Sequence, residues 1–123
     1  MNIKIRSTNF ELTPAIEEYV YKKLSSLDKF FVSEALCEVE IGKSTNAHKT
    51  GDIFKAEINI VGGGIDQVYV TTEEIDLYTA IDIVRDEAER SIVNKKKKKD
   101  TMIRKGGAMV KNLLKRLDFR KPR

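Results

Sequence analysis

Polar and apolar positions alternate at the start of the chain. In "NIKIRS", residues 2–7, Ile3 and Ile5 point one way and Lys4 and Arg6 the other, which predicts a half-buried strand. The period then lengthens. Across "LTPAIEEYVYKKLSSLDKFF", residues 12–31, Ile16, Val20, Leu24 and Leu27 form one apolar stripe at helical spacing. Thr13 is placed to cap this helix, and Pro14 takes the first helical position, where a missing N–H costs nothing. Alternation returns in "ALCEVEIGK", with Cys37, Val39 and Ile41 set against Glu38 and Glu40. A polar loop, "STNAHKTGD", follows. In "IFKAEINIV", Phe54, Ala56, Ile58 and Ile60 share a face; "GGG" at 62–64 turns the chain; "IDQVYVTT" returns with Val68 and Val70 inward and Tyr69 outward. Asp76 then caps a second helix whose stripe is Leu77, Ile81, Val84, Ala88 and Ile92. Continued into the lysines that follow, it spans about 22 residues, roughly 33 Å.

The order is β-α-β-β-β-α, an α+β fold. A four-stranded sheet with one apolar face needs a cover, and two amphipathic helices on that face supply it, leaving the other face polar and open. The expected organisation is one domain over residues 1–98 and a basic tail over 99–123. In the tail Gly106 and Gly107 break the pattern, and Met109, Val110, Leu113, Leu114 and Leu117 fit a short amphipathic helix, too short to be stable alone in water.

Composition narrows the class. Apolar residues make up 41% of the 123, enough for a core. Cys37 is the sole cysteine and His48 the sole histidine, which excludes an internal disulfide and a four-ligand zinc site of Cys and His. Such usage fits a reducing, cytoplasmic compartment. The N-terminus has no apolar signal region, and no apolar run approaches the ~20 residues that span a bilayer.

Charge changes the picture more. The net value of +4 hides an asymmetry. Lys95 to Arg123 holds 13 basic and 2 acidic residues, 13 − 2 = +11; residues 1–94 hold 10 and 17, 10 − 17 = −7. An acidic body with a basic tail points the tail at a polyanion: nucleic acid first, an anionic membrane second. Lys22, Lys23 and Lys29 give the first helix a basic strip, and Arg85, Arg90 and Lys95, Lys96, Lys97, Lys98 and Lys99 give the second another. With both helices on one sheet face the strips become neighbours and form a basic groove, which reads phosphates and shape rather than base edges. Asp82, Asp86 and Glu87 put acid upstream on the same second helix, which moves the grip toward the C-terminus. The plainer reading of the lysine run is a solvated helix end. The alternative function is a non-enzymatic protein-interaction or assembly module that docks through its amphipathic basic tail, and a further one is an anionic-membrane anchor.

Catalytic signals are poor. His48 sits in a polar loop with no nucleophile placed beside it, and Cys37 alternates with core residues as a small buried hydrophobe. "VGGGI" lacks the lysine and the strand-to-helix context of a phosphate loop. The acids at 73, 74 and 76 are explained by the dipole of the helix they precede. No enzyme, metal or cofactor is expected.

Three stretches carry a resemblance: Thr13-Pro14-Ala15-Ile16, the F-x-A-E-I-x-I strand at 54–60, and Asp76-Leu77-Tyr78-Thr79-Ala80-Ile81. In this order, and together covering residues 1 to about 98, they resemble the bacterial ribosome hibernation-promoting factor family, which includes the ribosome-associated inhibitor called protein Y. The resemblance implies a shape similar to a double-stranded-RNA-binding domain. It implies occupancy of the mRNA and tRNA channel of the small ribosomal subunit, holding ribosomes inactive under stress without chemistry. It also implies 16S rRNA contacts through Lys22, Lys23, Lys29, Arg90 and the lysines after it. The expected partners are the small subunit and its 16S rRNA, with no membrane and no small-molecule substrate, the chain being a monomer off the ribosome.

Overall fold

A computed structural model describes residues 1–44 and 52–104, with side chains described as far as Asp100. The elements are β1 (Asn2–Thr8), α1 (Pro14–Ser25), a 3₁₀ turn (Asp28–Phe30), β2 (Ala35–Ser44), β3 (Ile53–Gly62), β4 (Val68–Glu74) and α2 (Leu77–Arg104). The four strands form one sheet in the order β1-β2-β3-β4. β1 pairs parallel to β2; the other two pairings are antiparallel. This is the expected α+β architecture, with both helices on one face of the sheet.

Register follows from side-chain alternation. Ile5, Val39, Ile58 and Val70 lie side by side across all four strands, as do Ile3, Cys37, Ile60 and Val68 in the next row. Both rows face the helices. A slip of one residue turns such a row to solvent, so burial of one face fixes the pairing. The opposite face carries Arg6, Glu40, Glu57 and Thr71 in one row, and Lys4, Glu38, Asn59 and Tyr69 in another.

Thr13 caps α1 by accepting from the Ile16 N–H at 3.3 Å, and Ile16, Val20 and Leu24 form its buried stripe. The helix stops at Ser25, six residues short of the sequence expectation. The reason is local: Ser25 Oγ donates to the Tyr21 carbonyl at 2.5 Å and Ser26 Oγ to that of Lys23 at 2.7 Å, so hydroxyls satisfy the terminal carbonyls that another helical turn would use. Leu27 is fully buried, and Lys29 stands on the 3₁₀ turn beyond.

The three glycines hold the β3–β4 turn against the segment after the 3₁₀ turn. Gly63 N–H donates to the Glu34 carbonyl at 2.9 Å, and Val32 N–H to the Gly63 carbonyl at 3.2 Å. Gly62 and Gly63 adopt φ of +89° and +72°, and a Cβ at Gly62 would lie 2.8 Å from the Glu34 oxygen.

Asp76 caps α2: its Oδ2 accepts from the Thr79 backbone N–H at 2.8 Å and the Thr79 hydroxyl at 2.9 Å, which lowers the Asp76 pKa. Leu77, Ala80, Ile81, Val84, Ala88 and Ile92 are its buried stripe. No core residue follows Ile92 among the described residues, yet the helix runs on to Arg104, 28 residues in all, or about 42 Å. It passes unbroken over position 98, where the sequence reading set the border between body and tail. The polar loop with His48 and the chain after Arg104 lie outside the described residues.

Candidate nucleic-acid interface

α1 and α2 run parallel. Both follow strands that are themselves parallel, and their contacts advance together: Tyr19 meets Asp82, Ser26 meets Arg85, and Phe30 meets Lys96. α1 therefore ends beside Arg85, in the first third of α2, and the 3₁₀ turn and the β3–β4 turn lie beside the later part of α2 that carries the lysines. The cations of α2 gather there, while Lys22 and Lys23 sit in the last turn of α1, and the two sets do not form the single basic groove expected between the helices.

That seam is neutralised by acid. Tyr19 donates to Asp82 Oδ1 at 2.6 Å, and this hydrogen bond pushes the tyrosine pKa up to about 12. Lys23 Nζ lies 3.4 Å from the same oxygen and 5.5 Å from the centre of the Tyr19 ring. The Arg85 side chain is only 16% exposed. Its guanidinium binds Ser26 Oγ through Nε at 3.1 Å and Nη2 at 2.6 Å, Asp86 at 3.2 Å, and Glu89 one helical turn on. Lys23 and Arg85 thus join the two helices. The i, i+3 and i+4 spacing of Asp82, Arg85, Asp86 and Glu89 was the signal in the sequence that these groups would pair.

The other cations are placed differently. Lys96 donates to the Phe30 carbonyl at 2.8 Å and ties α2 to the 3₁₀ turn. Lys29 Nζ sits 5.3 Å over the Phe30 ring. Lys22, Arg90, Lys95, Lys97, Lys98 and Lys99 make no hydrogen bond or ion pair among the described residues. Five lysines in succession, at about 100° each on a helix of 3.6 residues per turn, face every direction around α2. Lys97 points outward, while Arg90, Lys95, Lys98 and Lys99 turn toward the β3–β4 turn. There they wall a groove of about 1130 Å³ whose other side is Phe30, Val32, Gly63, Gly64 and Ile65. Sequence reasoning missed that side because it is assembled from two segments over 30 positions apart; the run of glycines was its one local cue.

The open sheet face is internally paired. Lys55 Nζ lies 3.0 Å from Glu57, which also accepts from the Tyr69 hydroxyl at 3.1 Å. The lysine lowers the Glu57 pKa, and the glutamate raises that of Tyr69. Arg6 pairs with Glu40 at 3.3 Å. Cys37 is fully buried, and burial pushes its thiol up to about 12, so the thiolate needed for chemistry is suppressed at neutral pH. Among the described residues no three of His, Cys, Asp and Glu converge as metal donors, and no helix is long and apolar enough to cross a membrane.

A four-stranded sheet with two parallel helices on one face, the second of them extending past the core into a run of cations without ion-pair partners among the described residues, defines an α+β domain with a basic end. Residues 3–100 match the family described as sigma 54 modulation protein / S30EA ribosomal protein, and the chain belongs to that family. It is 29% identical over 100 residues to a protein of Klebsiella oxytoca named ribosome hibernation promoting factor, covering 80% of this chain and 96% of that one. It is 29% identical over 108 residues to the ribosome hibernation promotion factor of Bacillus subtilis, covering 88% of this chain but only 55% of that longer protein. Among solved structures, the N-terminal domain of Thermus thermophilus protein Y superposes with a TM-score of 0.64 at 34% identity, over 75% of this chain and 96% of that one. A ribosomal subunit interface protein from Coxiella burnetii superposes equally well, at 0.64, over 78% of this chain and 98% of that one; at 16% identity it speaks for the fold alone.

Proposed function

We propose that this chain is a ribosome-binding translation inhibitor of the hibernation type. It occupies the mRNA and tRNA channel of the small subunit, contacts 16S rRNA, and holds ribosomes inactive by occupancy without catalysing a reaction. Off the ribosome it is a monomer in the cytoplasm, and it needs no cofactor. Family membership and the names of the relatives support ribosome association. The observation that carries the contact surface is the set of cations that have no ion pair among the described residues: Lys22, Lys29, Arg90, Lys95, Lys97, Lys98 and Lys99. Lys23, Arg85 and Lys96 support that surface from behind by fixing the two helices, through Asp82, Ser26 and Phe30, in the orientation that presents it.

Sedimentation with purified small subunits tests this. At low salt the protein should pellet with the subunits, and loading them beforehand with mRNA and tRNA should keep it in the supernatant. A protein that stays in the supernatant of empty subunits at low salt sinks the reading. One that pellets equally with empty and loaded subunits removes the channel from it.

A further inference from the structure

The groove beside α2 is not a uniform cationic surface. Arg90, Lys95, Lys98 and Lys99 form its wall with Lys96 behind, but Asp66, Glu87 and Asp100 also line it, so the excess is five cations over three carboxylates. Phosphate attraction alone favours the cations outside the groove, such as Lys22 and Lys97, which share no lining with a carboxylate. What distinguishes the groove is its floor. Val32 is 82% exposed although it is a large apolar side chain, and it stands beside Phe30, Ile65 and the bare peptide planes of Gly63 and Gly64. The clasp between Val32 and Gly63 holds this floor in place. A duplex backbone would leave Val32 and Ile65 in water. A ligand with an anion on one side and a flat apolar face on the other covers both.

The geometry points to a single-stranded nucleotide segment as the occupant of this groove, its base laid on Val32, Ile65 and the Phe30 edge and its phosphates on Lys95, Lys98 and Lys99. Lysines three and four apart on a helix have Cβ atoms about 5–6 Å from one another, which suits successive phosphates of one strand. Bases stacked on an apolar platform beside a basic wall are the general mode of single-strand binding. This deepens the ribosome-binding reading and rests on it: the protein grips unpaired rRNA here, whereas Lys22 and Lys97 contact backbone.

The test uses the full chain and two variants, Val32→Ser in the floor and Ile75→Ser at the opposite pole, where Ile75 is 73% exposed. Short single-stranded RNA, a duplex of equal length, mononucleotide, inorganic phosphate and anionic vesicles are titrated against each. Val32→Ser should weaken single-strand binding about fivefold, as for loss of part of a buried valine's transfer energy, and leave duplex binding unchanged; Ile75→Ser should alter neither. Mononucleotide, but not phosphate, should shift the amide resonances of Gly63 and Gly64; mononucleotide binding with no preference for the single strand would assign the groove to a free nucleotide and overturn the rRNA assignment. Equal binding of strand and duplex, or a Val32→Ser protein that binds like the parent, overturns the inference, as does Val32-dependent binding to vesicles. Sedimentation of the parent with small subunits separates the two levels: if it pellets and the groove tests fail, this inference falls and the ribosome-binding reading stands.

Discussion

Arg85 and Lys97 are cations on one helix with opposite surroundings. Arg85 is enclosed by Ser26, Asp86 and Glu89, whereas Lys97 is exposed and has no partner among the described residues. Composition cannot separate them; their neighbours on the folded helix can. Arg85→Ala should lower stability by about 1 kcal/mol in urea titrations, the range of one partly exposed polar cluster, and weaken ribosome sedimentation only slightly. Lys97→Gln should leave stability unchanged and weaken sedimentation more. Asp76 offers a pH test. Its hydrogen bonds from Thr79 hold its pKa below the ordinary 3.8, so the folded chain binds this proton less readily than the unfolded chain. The ionised cap therefore stabilises above pH 3.8, and its contribution is lost as pH falls through that value and below. Asp76→Ala should destabilise the protein at neutral pH, and the gap from the parent should narrow when urea midpoints are compared in acid.

At the scale of elements, most of the fold was legible. Strict alternation marked all four strands, and their inward residues are buried in the middle of the sheet and partly buried in β1 and at Phe54 and Val70. Both helix starts were readable because Thr13 and Asp76 carry cap chemistry in a single side chain. The end of α1 was not, since the apolar stripe continues to Leu27 while two serine hydroxyls capture the last carbonyls. The site was legible in part: the lysines were read directly, but their sorting into seam, outer surface and groove depends on contacts between distant segments. The turn at 62–64 decides that groove. A methyl group at Gly62 meets the Glu34 backbone oxygen, which cannot move aside; at Gly64 it meets Val32 Cγ2 at 2.5 Å, an exposed side chain that can. Positive φ adds strain at both. Gly62→Ala should cost roughly 1–3 kcal/mol, and Gly64→Ala measurably less, in thermal melts.

Across the whole molecule, charge counting located the border between acid and base but not its direction in space. The parallel helices supply the direction. Their N-termini carry Asp76 and Glu17 near the positive ends of the two dipoles, and the lysines lie toward the other ends, Lys22 and Lys23 in the last turn of α1 and Lys95 to Lys99 in the last third of α2. The protein is therefore polarised along its helices and should approach a polyanion with the α2 end leading. Because Ile92 is the last core residue among the described residues, the lysine segment can be changed without touching the described core. Replacing Lys95, Lys97, Lys98 and Lys99 by Gln keeps good helix formers and spares Lys96, which anchors the 3₁₀ turn. The melting temperature should stay within a few degrees of the parent's. Each phosphate contact adds roughly 0.7–0.9 to the slope of log affinity against log salt, so loss of four should flatten that slope by about 3 when ribosome binding is followed across a salt series. An unchanged slope with an intact fold would mean that these lysines only solvate the helix end, and that the grip lies with Lys22, Lys29 and Arg90.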